Sequence, residues 1–283
     1  PNKGPFSPMS LPEHQTGRVQ SGDVSLFSRL YGAAGDLPIL TMHGANYFDS
    51  YDWAGVAAGL SRNRQVATMD MRGFGESDWS QSKDYSTDAR IEDAAAIANH
   101  LDWPRIIPIV HSMSGRIGIV MAARRPELVE KLVVVDSSMS TVGGAPSVGG
   151  DLLSFDSVEA AMAHFQGREQ PPRISHDATR AEAALRLEDG RYILKRDPDF
   201  GNGVPVSGGR VPVLNDANVW EELAEIQCPV LVVHGVRSDR YTPEVLERMG
   251  GHDHVTIVQV DSQHDVPAQA PGELIQAVKD FLG

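Results

Sequence analysis

Short apolar runs recur along this chain at intervals that suit strands alternating with helices, and they constrain the fold more than any other feature. Pro38–Met42, Gln65–Met71, Ile106–Val110, Leu132–Val135, Val230–Val233 and Val255–Val260 are apolar with little alternation, as strands buried on both faces of a mostly parallel sheet should be. Val24–Leu30 alternates instead, which suits an antiparallel edge. Helical patterns fill the gaps, over 50–61, 87–102, 113–125, 243–250 and 269–282. Right-handed crossovers then predict a doubly wound α/β sheet.

The rhythm breaks over 137–216. A Gly/Ser/Pro-rich stretch opens the region, helical patches follow near 157–166 and 176–187, and Asp189-Gly190 and a second glycine-rich stretch close it. This reads as an insertion with its own helices between two core strands. The expected division is a core over 12–136, the insertion over 137–216 and the rest of the core over 217–283.

Composition narrows the function classes. The chain is 41% hydrophobic and 22% charged, with a net charge of −13 and no basic block, which argues against nucleic acid or an anionic membrane as partner. Its one cysteine, Cys228, cannot form an internal disulfide, and next to Pro229 at the mouth of an apolar run it reads as a packed, inert thiol. With neither a signal-like start nor a long apolar span, the expectation is a cytoplasmic protein that does not engage a membrane. His252-Asp253-His254 is too little for a zinc site, so neither metal nor cofactor is expected.

The chemistry concentrates at Ile109-Val-His-Ser-Met-Ser-Gly115, where a buried strand gives way to a helical pattern. A turn that tight holds its apex residue in a strained backbone conformation. The strain lifts the Ser112 hydroxyl clear of the sheet and leaves it at the positive end of a helix. Val110 and Ser114 stand where this kind of turn carries glycines, so the turn must open or the neighbouring strand must carry small residues. Ser114 as nucleophile would be the other register, but it would put Arg116 at the second tight position.

This segment, His43-Gly44, and Asp70-Met-Arg-Gly-Phe-Gly-Glu-Ser-Asp78 resemble the α/β-hydrolases, and the resemblance runs along nearly the whole chain. It implies an eight-stranded, mostly parallel sheet with a helical lid formed by the insertion. It also implies a catalytic triad in the order Ser, acid, His. Ser112 would be the nucleophile, and His264, after Val255–Val260, the general base. Asp239, after Val230–Val233, is the expected acid, and Asp136, directly after Leu132–Val135, the competing one. Gln263 stands where a glycine usually precedes the histidine. The oxyanion hole would be the N–H groups of Met113 and Ala45. Asn46, Tyr47, Trp53 and Met139, with Phe48 beside them, would line a mostly apolar substrate pocket.

A serine at the elbow selects acyl chemistry and sets the chain apart from the dehalogenases and most epoxide hydrolases of this fold, which carry aspartate there. The leading expectation is a hydrolase of small or medium carboxylic esters or lactones, acting through an acyl-enzyme as a monomer or homodimer on a small-molecule substrate. Cleavage of C–C or amide bonds in ring-fission products is the alternative, with Arg186, Arg191, Lys195 or Arg196 available for a substrate carboxylate. A third reading, from the likeness of His111–Ile119 and Arg124–Leu128 to hormone-receptor and stress-sensor members, is a ligand-binding protein that retains the triad.

Overall fold

The computed structural model describes residues 11–45, 49–139, 152–167, 178–201, 204–206, 209–211 and 217–283. Its first half runs β1 (Gln15–Ser21), β2 (Val24–Tyr31), β3 (Asp36–Met42), α1 (Ala54–Leu60), β4 (Arg64–Met69), α2 (Thr87–His100), β5 (Ile107–His111), α3 (Met113–Arg124) and β6 (Leu132–Val135). The insertion contributes β7 (Ser154–Phe155), α4 (Val158–Gly167), α5 (Ala178–Ala183), β8 (Leu185–Glu188), β9 (Arg191–Leu194), β10 (Val204–Val206) and β11 (Gly209–Val211). The chain then returns through α6 (Val219–Glu225), β12 (Val230–Gly235), α7 (Pro243–Gly250), β13 (Val255–Val260), α8 (Val266–Gln269) and α9 (Pro271–Leu282).

The main sheet has eight strands in the order β1-β2-β4-β3-β5-β6-β12-β13. Strand β2 pairs antiparallel with both β1 and β4, and the remaining neighbours pair parallel. Strand β1 carries no apolar run because it is the sheet edge, with most of its residues exposed or half-buried. It therefore gives no hydrophobic signal in the sequence.

The strand period of two divides the core into two layers. Ile107, Ile109, Val133, Val135, Leu231 and Val233 pack on one face with Val56, Ala57 and Leu60 of α1 and Leu274 and Val278 of α9. Val110, Leu132, Val134, Val230 and Val232 pack on the other with Ile97 of α2, Ile117 and Val120 of α3 and Leu223 of α6. Both faces of the central strands are therefore dry, which is why their sequences run apolar without alternation.

Local signals shift several helix ends. The stretch expected as one helix over 50–61 opens as a 3₁₀ turn over Ser50–Trp53, capped by Asp49, whose carboxylate accepts from Tyr51 N–H. The final helix is split at Ala270, and Pro271 starts α9. In the insertion the second helical patch stops at Ala183. Asp189 and Gly190, at φ 48° and 78°, turn the antiparallel hairpin β8–β9. That hairpin, β7, α4 and α5 close around Phe155, Ala161, Phe165, Ala181, Leu185 and Leu194, a small core of their own.

Candidate active site

Ser112 and Asp136 each stand one residue beyond a central strand, and each donates its backbone N–H to the next strand along. Ser112 N–H reaches Val135 O at 3.1 Å, and Asp136 N–H reaches Val233 O at 2.8 Å. Both hold positive φ, 56° for Ser112 and 41° for Asp136. This conformation costs a side-chain-bearing residue on the order of 1–3 kcal/mol and persists only where the surroundings impose it. At Ser112 the constraint comes from its own carbonyl, which accepts from Ser137 Oγ at 2.7 Å and Gly115 N–H at 3.0 Å.

The elbow tolerates Val110 for a reason that lies on the helix rather than on a neighbouring strand. A Cβ on Gly118 of α3 would lie 2.7 Å from Val110 Cγ2, so the missing side chain has moved from the strand to the helix facing it. Ser114, the second departure, is fully buried and works as a tie. Its Oγ donates to Met42 O at 2.7 Å and accepts from His111 N–H at 2.9 Å, joining the elbow to the end of β3.

The loop after β13 brings His264 to this point. Its Nε2 lies 2.9 Å from Ser112 Oγ, and its Nδ1 lies 2.7 Å from Asp136 Oδ2. Gly235 makes the close pass possible, since a Cβ there would lie 2.5 Å from Gln263 O. Gln263, in the position where glycine is usual, is held through its N–H by Gln269 Oε1 at 2.8 Å.

Asp136 is buried, and burial alone would raise its carboxyl. Hydrogen bonds from His264, Ser238 and His234 outweigh that cost and hold it below its ordinary value. An ionised Asp136 can only accept, so Nδ1 of His264 carries a proton. Nε2 is then left to accept from Ser112 O–H.

The carboxylate beside His264 is thus Asp136, and the expectation of Asp239 is corrected. The turn after β12 closes early, with Ser238 N–H on Gly235 O at 2.8 Å. It sends Ser238 Oγ to Asp136 Oδ2 at 2.5 Å and leaves Asp239 exposed, paired with Arg240 at 2.8 Å.

The other expected site residues divide. Met113 begins α3, so its N–H belongs to the first helical turn, which has no acceptor within the helix. Ala45 sits in the loop that leaves β3, the strand paired in parallel with β5. Trp53 is corrected from pocket to core: it is 1% exposed, packed in the α1 and α9 layer, and makes a T-shaped contact with the His111 ring. Met139 is buried too, in the α2 and α3 layer. Asn46 and Tyr47, like Phe48, lie outside the described residues.

The insertion's basic side chains are engaged elsewhere. Arg186 pairs with Glu188 and stacks over Trp79, Arg191 pairs with Asp156, and Lys195 pairs with Glu76. Arg196 is buried. Arg180 of α5 is also buried and grips Asp52 with two nitrogens, at 2.6 and 2.9 Å, with Asp49 at 3.5 Å. It anchors the insertion to the 3₁₀ turn that follows β3.

Two histidines carry weight that the sequence did not signal. His111 Nε2–H donates to His264 O at 2.8 Å, and burial, then the neighbouring His264, pushes its ring down to about 3. His234, the residue before Gly235 at the end of β12, lies 3.0 Å from Asp136 Oδ1 through its Nδ1. His43 is a loop tie: its Nδ1–H donates to Gly44 O and its Nε2 accepts from Met71 N–H. Among the described residues no group of three or more His, Cys, Asp or Glu could hold a metal ion, and no helix is long and apolar enough to cross a membrane.

A family model described as the alpha/beta hydrolase fold matches residues 38–267. Among curated proteins the chain is 28% identical over 281 residues to Esterase Rv0045c of Mycobacterium tuberculosis, covering 96% of this chain and 90% of that protein. It is 25% identical over 280 residues to Lipase LipV of the same organism, covering 92% of this chain and 98% of that protein. Among solved structures the thioesterase domain from the curacin biosynthetic pathway superposes with a TM-score of 0.78 at 18% identity, covering 95% of this chain and all (100%) of that one, a likeness of fold alone.

Proposed function

The chain belongs to the α/β-hydrolase-fold family and is a hydrolase, and we propose that it cleaves small or medium carboxylic esters, lactones included, through an acyl-enzyme on Ser112. One observation carries the reading: the continuous hydrogen-bond path from Ser112 Oγ through His264 to Asp136, with the serine held at positive φ at the mouth of α3. Relatives named esterase and lipase favour an ester over other acyl substrates.

In this mechanism Ser112 Oγ attacks the ester carbonyl carbon while His264 Nε2 takes the hydroxyl proton. Asp136 keeps the imidazole in the Nδ1–H tautomer and offsets the positive charge that forms. The oxyanion is received by Met113 N–H, the first free donor of α3, and by Ala45 N–H from the β3 loop. The intermediate collapses as His264 returns its proton to the leaving alcohol. Water, deprotonated by the same ring, then releases the acid and restores Ser112. A lactone is the same bond closed in a ring and asks for no further group.

The insertion acts as the lid in this reading. It joins β6 to the return of the chain towards β12, and the ends of both strands build the Asp136 corner. Its anchor, Arg180, holds it to the turn that follows the oxyanion strand. The alternative of a carboxylate-bearing ring-fission substrate draws no support from Arg186, Arg191 or Lys195, each satisfied by an acidic neighbour.

The test is intact mass after exposure to a fluorophosphonate, together with turnover of a series of p-nitrophenyl esters and lactones. Wild type should gain one adduct and hydrolyse the short-chain esters, and Ser112→Ala should do neither. A folded Ser112→Ala variant that still turns over ester would remove Ser112 from the mechanism.

A further inference from the structure

We propose that His234 is a positioning residue that fixes the rotation of the Asp136 carboxylate; the inference rests on the Ser112–His264–Asp136 reading. Asp136 is fully buried and, among the described residues, receives four donors, which match the roughly four acceptor sites a carboxylate offers. They divide by oxygen. Oδ2 takes His264 Nδ1–H at 2.7 Å and Ser238 Oγ–H at 2.5 Å. Oδ1 takes His234 Nδ1–H at 3.0 Å and Gly235 N–H at 3.1 Å, both from the end of β12.

A carboxylate at a strand end keeps one soft motion, rotation about its Cβ–Cγ bond. His264 alone would leave that rotation free, because a single contact on Oδ2 is a pivot. The two β12 donors on Oδ1 make a second, rigid point of attachment, and the plane of the carboxylate is then set. His264 finds Oδ2 where its ring needs it.

The His234 ring is itself wedged. It packs against Tyr241 in a T-shaped contact, ring centroids 5.4 Å apart and planes at 65°, and Tyr241 Oη accepts from Ser137 N–H, the residue after Asp136, at 3.0 Å.

The arrangement has a use in the reaction. When His264 takes the Ser112 proton, the imidazolium faces a carboxylate that must stay ionised rather than accept that proton. A second N–H on Oδ1 stabilises the ionised form without competing for Oδ2. His234 meets Asp136 rather than the serine, and acts through that carboxylate.

Three substitutions test this, measured with a p-nitrophenyl ester alongside Asp136→Asn. His234→Leu fills the space and removes the donor. His234→Gln carries an amide near the position of Nε2, and His234→Asn carries one near Nδ1. The expected result is a kcat for His234→Leu and His234→Gln lower by about ten- to hundredfold, the effect of losing a hydrogen bond to a charged group. KM should stay within about twofold, because binding of the ground state is untouched. His234→Asn should recover most of the loss although its melting temperature need not exceed that of His234→Gln.

Equal loss in Asn and Gln variants would overturn the proposal, since the volume of the ring and not its Nδ1–H would then matter. Wild-type kcat in His234→Leu with an inactive Asp136→Asn would overturn it too, while leaving the triad reading standing. Full activity in Asp136→Asn would overturn the triad reading first and this inference with it. If His234→Leu does not fold, the comparison of Asn with Gln decides alone.

Discussion

Asp136 and His264, 128 residues apart in sequence, meet at 2.7 Å because the strands that present them end on the same rim of the sheet. The contact is built from the β6 side. Asp136 follows the last residue of β6 directly, as Ser112 follows the last residue of β5, so neighbouring strands deliver both groups with no intervening loop.

Exchange of the acid distinguishes the two aspartates. Asp136→Asn should lower kcat for ester hydrolysis by about 10⁴-fold, the effect of holding the base in the wrong tautomer. Asp239→Asn weakens an exposed pair with Arg240, away from His264, and should leave kcat near that of wild type. Steady-state kinetics of both variants settle the matter, and loss confined to Asp239→Asn would return the acid to the β12 turn.

What the sequence made legible here follows from what each residue's neighbours reveal. Ser112 and His264 stand in local patterns that few other structures require, a strand-to-helix turn and a loop after the last strand. The central parallel strands announced themselves because both their faces are buried. The acid did not, because Asp136 and Asp239 each follow an apolar strand, and the choice lies in how a turn closes. One hydrogen bond, Ser238 N–H to Gly235 O, sends Asp239 outward, and no residue type signals it. Adjacency was the usable clue: only Asp136 touches its strand without a spacer. Trp53 misled for a related reason, since an aromatic residue near a catalytic loop is as well placed to fill the core as to line a pocket. Edge strand β1 left no trace because it buries little.

His111 supplies a pH prediction. Burial, then the neighbouring His264, lowers its ring from 6.5 to about 3. The unfolded chain therefore binds a proton below pH 6.5 that the native state refuses until about pH 3, so this group's contribution is complete above 6.5 and is lost as pH falls towards 3. Asp70 acts in the opposite sense. Its carboxyl is raised from 3.8 to about 6, chiefly by burial and then by Asp49, so its contribution is lost as pH rises through 6. The two overlap, and the slope of wild type alone does not separate them. His111→Gln keeps an N–H for His264 O and removes the titration. Its melting temperature relative to wild type should rise steadily from pH 6.5 down to pH 4. A difference constant across that window would mean that His111 is not held neutral by the fold.

Arg180 and Asp52 form a two-point ion pair in a buried setting, at 2.6 and 2.9 Å. Removing Arg180 leaves the Asp52 carboxylate buried without its cation, and the cost of breaking a buried pair in this way is about 3–5 kcal/mol. Arg180→Met should lower the urea midpoint accordingly, and adding Asp52→Leu should recover part of the loss. A double variant less stable than Arg180→Met by the full cost of Asp52→Leu would mean that the two do not interact.

Gly115 joins the fold to the chemistry most tightly. A Cβ at this position would lie 2.3 Å from both Cβ and Oγ of Ser137, and 3.2 Å from Val134 Cγ1. Ser137 is the residue after Asp136, and its Oγ holds the carbonyl of Ser112 at 2.7 Å. Gly115→Ala must therefore move the segment that carries the acid, the tie that holds the nucleophile, or both. Overpacking of this kind costs about 1–3 kcal/mol of stability. The larger effect should fall on catalysis, since a displacement near 1 Å in a reacting constellation can cost about a hundredfold in rate. Gly55→Ala is the control: on α1, with nothing within 4 Å of its would-be Cβ, it should leave kcat unchanged and stabilise the helix by about 0.5–1 kcal/mol. Kinetics and melting curves of the two variants, measured together, separate a general cost of adding a methyl group from a specific one at the elbow. Wild-type kcat in Gly115→Ala would show that the elbow gives way without disturbing Ser112, and that the contact from Ser137 does not hold the nucleophile in place.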